Sequence, residues 1–130
     1  MVTELLRDVW TEVDHELPKE ICKVLTSFAV QSPDAEICGF ILEDGTICPI
    51  PNVYENPRYG FEMDKKEMMK VIHGRISILG TYHSHPSNNP HPSLRDNEIM
   101  SYLYQQGCPW RYFTITPAGV YEFQHKVKQT

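Results

Sequence analysis

The chain has 130 residues, 41% hydrophobic and 22% charged, with Lys+Arg 12 against Asp+Glu 17 and a formal net charge of −5. This balance is globular rather than disordered or fibrous, and the length suits one domain with a core of its own. The acidic excess leaves no surplus of Lys or Arg to displace phosphate counterions, and no apolar run approaches the roughly 20 residues that span a bilayer, so neither nucleic acid nor membrane is an expected partner.

The opening MVTELLRDVW carries acids within its first ten residues and does not read as a signal peptide, which predicts a soluble intracellular domain. Cys22, Cys38, Cys48 and Cys108 are scattered without CxxC spacing. Free, mostly buried thiols are expected rather than a disulfide framework.

The first thirty residues read as helical. LLRDVW and PKEICKVLTSFAV place apolar residues at three- and four-residue intervals, and Pro18 suits a first helical turn. The intervening EVDHEL is either a linker or part of the first helix. Ser32-Pro33-Asp34 breaks the pattern. From Glu36 the period becomes two, with Glu36, Cys38, Phe40 and Leu42 facing one way and Ile37, Gly39 and Ile41 the other. Both rows are largely apolar, as in a strand covered on both faces. Glu43-Asp44-Gly45 is a hairpin turn, and residues 46–50 return as a strand. Prolines at 49, 51 and 57 impose an irregular stretch as far as Phe61. Asp64 caps a helix through KKEMMKVIHGR, and Gly74 ends it. Residues 76–85 form a strand. Prolines at 86, 90 and 92 exclude regular structure, after which residues 93–106 form a helix stopped by Gly107. Residues 112–116 and 120–124 close the chain as a hairpin around Pro117-Ala118-Gly119. The order is that of a mixed α/β domain, although it does not fix the strand order.

The densest polar chemistry lies in TYHSHPSNNPHPSLRD. His83 and His85, two apart at a strand end, project from one face, and Asp96 follows in the first turn of the next helix. Two imidazoles and a carboxylate form a three-ligand set that leaves the fourth position of tetrahedral zinc to water, the pattern of a catalytic site. Such a water needs a proton acceptor, and Glu36, an acid opening an apolar strand, is the candidate if its strand lies beside residues 76–85. Ser93 offers a hydroxyl to a developing oxyanion. Each feature alone has a plainer reading. An isolated HxH is more often a surface or core pair, Ser93-x-x-Asp96 can be a helix capping box, and Glu36 can be an exposed acid at a strand entrance. His91, between two prolines, reads as an exposed loop residue. His15, His73 and His125 have no partner pattern.

Taken together, Glu36 with Cys38-Gly39-Phe40, then Gly80-Thr81-Tyr82-His83-Ser84-His85-Pro86, then Ser93-Leu94-Arg95-Asp96 resemble the JAMM (MPN-plus, JAB-domain) metalloprotease family. The resemblance spans roughly residues 18–125, and it leaves residues 1–17 as an N-terminal helical extension to a JAB/MPN domain over 18–130. It implies a cytidine-deaminase-like α/β fold, a curved mixed sheet flanked by helices. It also implies one zinc ion per chain held by His83, His85 and Asp96 with a catalytic water, Glu36 as general acid/base, and Ser93 as stabiliser of the tetrahedral intermediate. The implied activity is hydrolysis of an amide or isopeptide bond. The substrate class is a peptide or protein, such as the C-terminal tail of a ubiquitin-like or sulfur-carrier protein. The chain has little room for the insertions that grip ubiquitin in eukaryotic relatives, and Glu-x-Cys-Gly favours the compact prokaryotic and phage types. A cytoplasmic enzyme, a phage tail-assembly protein in the virion and a non-catalytic MPN scaffold are the three settings that follow, with the intact ligand set favouring an enzyme. The N-terminal segment either packs on the domain or pairs two chains as a homodimer.

Overall fold

The computed structural model describes residues 8–127. Six strands form one mixed sheet in the order β1-β6-β5-β4-β2-β3. The strands are β1 (Asp8–Val13), β2 (Cys38–Leu42), β3 (Ile47–Ile50), β4 (Ile78–Ser84), β5 (Arg111–Thr116) and β6 (Gly119–Val127). Three helices accompany them among the described residues: α1 (Lys19–Gln31), α2 (Lys65–Ile72) and α3 (Leu94–Gln105). The expected α/β architecture, a mixed sheet flanked by helices, is the one observed. None of these helices is long and apolar enough to cross a membrane.

Only β4 and β5 run parallel, and α3 lies in the crossover that joins them. The other pairings are antiparallel. All five residues of β2 are buried, which agrees with its two apolar rows. On one face Leu25 and Ala29 of α1 pack with Ile41, Tyr82, Phe113 and Ile115. On the other, Phe40, Leu42 and Ile50 meet Met68, Val71 and Ile72 of α2, while Met100 of α3 meets Tyr112 and Phe123. At α2 the Asp64 carboxylate accepts from the Glu67 amide at 3.0 Å, the cap that the sequence calls for.

The first segment differs from expectation. Residues 8–13 are not helical; they form the edge strand β1, antiparallel to β6 with Trp10 opposite His125. The sequence DVWTEV is rich in β-branched and aromatic residues, and β6 offers it a free edge, so pairing outweighs the helical spacing of LLRDVW. The Trp10 indole donates to Ser101 Oγ at 2.9 Å and stands edge-on to Tyr112 at 5.1 Å, tying this strand to α3 and to the sheet. The segment expected as an N-terminal helical extension is therefore, over residues 8–13, part of the common sheet. Residues 14–17 of that expected extension are irregular rather than helical, and residues 1–7 lie outside the described residues.

The four cysteines are free, as expected, but only Cys38 is buried; Cys22, Cys48 and Cys108 are half-buried. Burial, with Glu36 adding to it, pushes the Cys38 thiol up to about 12. Next to it, Gly39 leaves no room for a side chain. A Cβ there would run into the Cys48 carbonyl on β3 and the Tyr82 ring on β4. Gly39→Ala is expected to lower stability by about 1–3 kcal/mol, the usual cost of overpacking, read as a shifted urea midpoint at unchanged slope.

Candidate metal centre

The site forms where β2 begins, β4 ends and α3 begins. β2 and β4 run antiparallel with Cys38 opposite His83, and the pairing continues beyond the strands, because the Ser84 amide donates to the Ile37 carbonyl at 2.9 Å. That register carries Glu36 to the histidine end of β4. Two bonds fix the Glu36 backbone: its amide donates to the Pro57 carbonyl at 2.6 Å, and Asn52 Nδ2 donates to its carbonyl at 2.9 Å. His85 stays aligned with the sheet because its amide donates to Ile115 of β5 at 2.9 Å. Alternation along β4 then brings both imidazoles to one face.

Asp96 arrives from the other side through its helix cap. Ser93 Oγ accepts from the Asp96 amide at 3.1 Å, and Asp96 Oδ2 accepts from the Ser93 amide at 2.9 Å, a complete capping box. The plainer reading of Ser93-x-x-Asp96 is thus observed, and it turns the same carboxylate oxygen toward the histidines. His83 Nε2 lies 3.1 Å from Asp96 Oδ2, His85 Nε2 lies 3.0 Å from it, and the two Nε2 atoms are 3.2 Å apart. With one oxygen of Glu36, these atoms fall within 4.8 Å of one another, and all four residues are buried.

The donor chemistry of this group fits a cation. Asn89 presents a carbonyl to His85 Nδ1 at 2.9 Å, and a carbonyl can only accept, so Nδ1 carries the proton. In neutral His85 the Nε2 lone pair then faces a carboxylate oxygen and a second imidazole nitrogen. Three such atoms at this spacing are held together by a positive charge among them, a proton on an imidazole or a bound cation. The edges of a zinc tetrahedron with ligands at about 2.0–2.1 Å are roughly 3.3 Å, close to the separations of 3.0–3.2 Å found here. Burial alone would raise the Asp96 carboxyl, but hydrogen bonds from His83 and His85 outweigh it and hold the group well below the carboxylate range.

Glu36 differs from these three. Its Oε1 is buried without a hydrogen-bond partner. Burial pushes its carboxyl up to about 7, an effect reinforced by Asp96 and opposed by His85 and Arg95. A buried carboxylate oxygen without a partner, beside a candidate cation site, is chemically suited to accept a proton.

Sequence spacing gave no sign of several supporting residues. The Phe61 ring stacks on His83 with centroids 4.7 Å apart and planes at 20°. Arg95, inside the Ser-x-x-Asp motif itself, donates to the Phe61 carbonyl at 3.1 Å and lies over the Tyr54 ring at 4.3 Å. Together they hold the 52–62 segment against the site. Arg95 was legible as a motif member, whereas Phe61 arrives from an irregular stretch that carries no periodic signal. His91 is exposed, as expected, and His15, His73 and His125 lie outside the cluster.

A family model described as prokaryotic homologs of the JAB domain matches residues 2–126. The chain is 34% identical over 84 residues to a desampylase of Haloferax volcanii, covering 57% of this chain and 60% of that protein. A desampylase of Pyrococcus furiosus is 31% identical over 78 residues, covering 55% of this chain and 56% of that protein. The matched stretch therefore spans less than two thirds of either relative. The solution structure of a protein from Desulfitobacterium hafniense shares the fold with a TM-score of 0.57 at 20% identity, covering 82% of this chain and 84% of that one.

Proposed function

Because the chain belongs to the prokaryotic JAB-domain family, we propose that it is a zinc-dependent peptidase or isopeptidase that cleaves an amide bond at the C-terminal tail of a ubiquitin-like or sulfur-carrier protein. The observation that carries this reading is the buried convergence of Glu36, His83, His85 and Asp96. Three of their atoms are at ligand-to-ligand spacing and the fourth group is unpartnered. The likeness to two desampylases supports a protein conjugate as substrate.

In this reading His83, His85 and Asp96 hold the metal. Zinc, when bound, acidifies a water and polarises the scissile carbonyl. Glu36 Oε1 takes the proton from the attacking water and returns it to the leaving amine, so that the enzyme ends the cycle in its starting protonation state. The Ser93 hydroxyl accepts from the Asp96 amide, which leaves its own O–H to donate to the developing oxyanion. The Asn89 carbonyl fixes the tautomer of His85, and Phe61 fixes the ring plane of His83. A complete ligand set favours an enzyme over a scaffold module.

The test is a panel of ubiquitin-like and sulfur-carrier fusions incubated with zinc-loaded protein, with and without chelator. Cleavage at the tail that stops with chelator and returns with zinc is the expected result. Fully metallated protein that cleaves no member of the panel, or cleavage that persists in chelator, would overturn it.

A further inference from the structure

A cavity of about 350 Å³ opens directly off the metal centre. Phe40 and Tyr112 of the sheet, Met68 of α2, and Ile99 and Met100 of α3 line it, and His83 and Asp96 belong to the same lining. Protein cores rarely leave voids larger than a water molecule, so an apolar space of this size between two helices is not ordinary packing. α2 agrees with this, since none of its residues is fully buried although Met68 and Ile72 turn toward the sheet.

Three features identify the occupant. The cavity shares two candidate metal ligands with the site, so a substrate whose carbonyl lies at the metal presents its neighbouring group to this space. Its volume, about 350 Å³, is at the lower end of the roughly 300–1,000 Å³ of small-ligand pockets, which admits a large apolar side chain with adjoining main chain and not a folded partner. Its walls combine methionines, Met63, Met68 and Met100, with aromatic rings, a surface that adapts to differently shaped apolar groups. Arg95 also lines it and has a buried Nε–H without a partner, a donor for a main-chain carbonyl of the same substrate. Resting on the zinc-peptidase reading above, we propose that this cavity is the specificity subsite for a Leu-, Met- or Phe-sized side chain on a residue flanking the scissile bond.

The test compares two zinc-binding probes on the intact zinc-loaded protein, N-acetyl-leucine hydroxamate and N-acetyl-glycine hydroxamate, by calorimetry. The leucine compound is expected to bind at least tenfold tighter, by the burial of one isobutyl group. Ile99→Trp, filling the cavity from α3, should erase that difference while the glycine compound still binds. Met68→Trp, filling it from α2, gives the same readout if the first variant fails to fold by circular dichroism. Equal affinities in the wild-type protein, or an unchanged preference in both folded variants, would overturn the assignment. So would a preference that emerges only after residues 1–7 are removed, since the chain's own terminus would then be the occupant. A leucine preference in a protein that cleaves no fusion would keep the subsite and defeat the peptidase reading. Cleavage indifferent to the flanking residues would do the reverse.

Discussion

Glu36→Gln is expected to retain a full complement of zinc and to lose turnover by roughly 10²- to 10⁴-fold, the range that general acid–base groups contribute. Gln has the size of Glu and fills the same buried position, but it cannot take a proton from water. The question it decides is whether the site is open or closed. Four candidate ligand atoms lie within 4.8 Å, and zinc with four protein ligands is structural, whereas zinc with three keeps a place for water. The distances divide the four unequally. His83, His85 and Asp96 meet at 3.0–3.2 Å, while Glu36 Oε1 meets no hydrogen-bonding group. His85→Ala should behave differently and lose metal and turnover together. The measurement is zinc content beside the initial rate on one cleaved fusion. Loss of zinc in Glu36→Gln would make Glu36 a fourth ligand and the centre structural, and undiminished rates would remove its role as proton acceptor.

How much of this was legible in the sequence depended on whether local spacing decides the feature. The alternation through Cys38–Leu42 and the caps at Asp64 and Ser93 are local, and the observed elements follow them within a few residues. The convergence of Glu36 on the histidines needed one conditional step, that its strand lies beside β4, and the register of Cys38 opposite His83 meets that condition. What was not legible depends on distant partners. The edge strand at residues 8–13 exists because β6 has a free edge, and nothing within LLRDVW encodes that edge. Phe61 reaches His83 through a segment held by Asn52 and Arg95, contacts that no period describes. Asn89 contributes its carbonyl, which any residue type could supply, so its identity held no clue.

On the proposed reading Asp96 serves the helix and the metal with one oxygen, and two substitutions should separate those duties. Asp96 Oδ2 accepts from the Ser93 amide at 2.9 Å while facing both Nε2 atoms. Asparagine can still accept from Ser93, so Asp96→Asn keeps the cap of α3. It brings no negative charge, and its amide donors oppose a cation. Alanine removes both functions. Changing groups that merely support metal ligands lowers affinity by about 10–100-fold, so loss of a ligand itself is expected to weaken zinc binding by at least about 100-fold in both variants. Only Asp96→Ala should also lose the carboxylate's half of the capping box, the bond from the Ser93 amide, about 1 kcal/mol, seen as a lower urea midpoint than that of Asp96→Asn when both are unfolded in chelator. Wild-type zinc affinity in Asp96→Asn would remove Asp96 from the ligand set. Equal midpoints for the two variants would mean that the capping bond adds nothing to stability, leaving metal binding as the sole duty of that carboxylate. The separation matters because the first turn of α3 sets the position of the ligand. A cap that holds without metal means the carboxylate is already in place before zinc arrives, so the fold, rather than the ion, builds the centre.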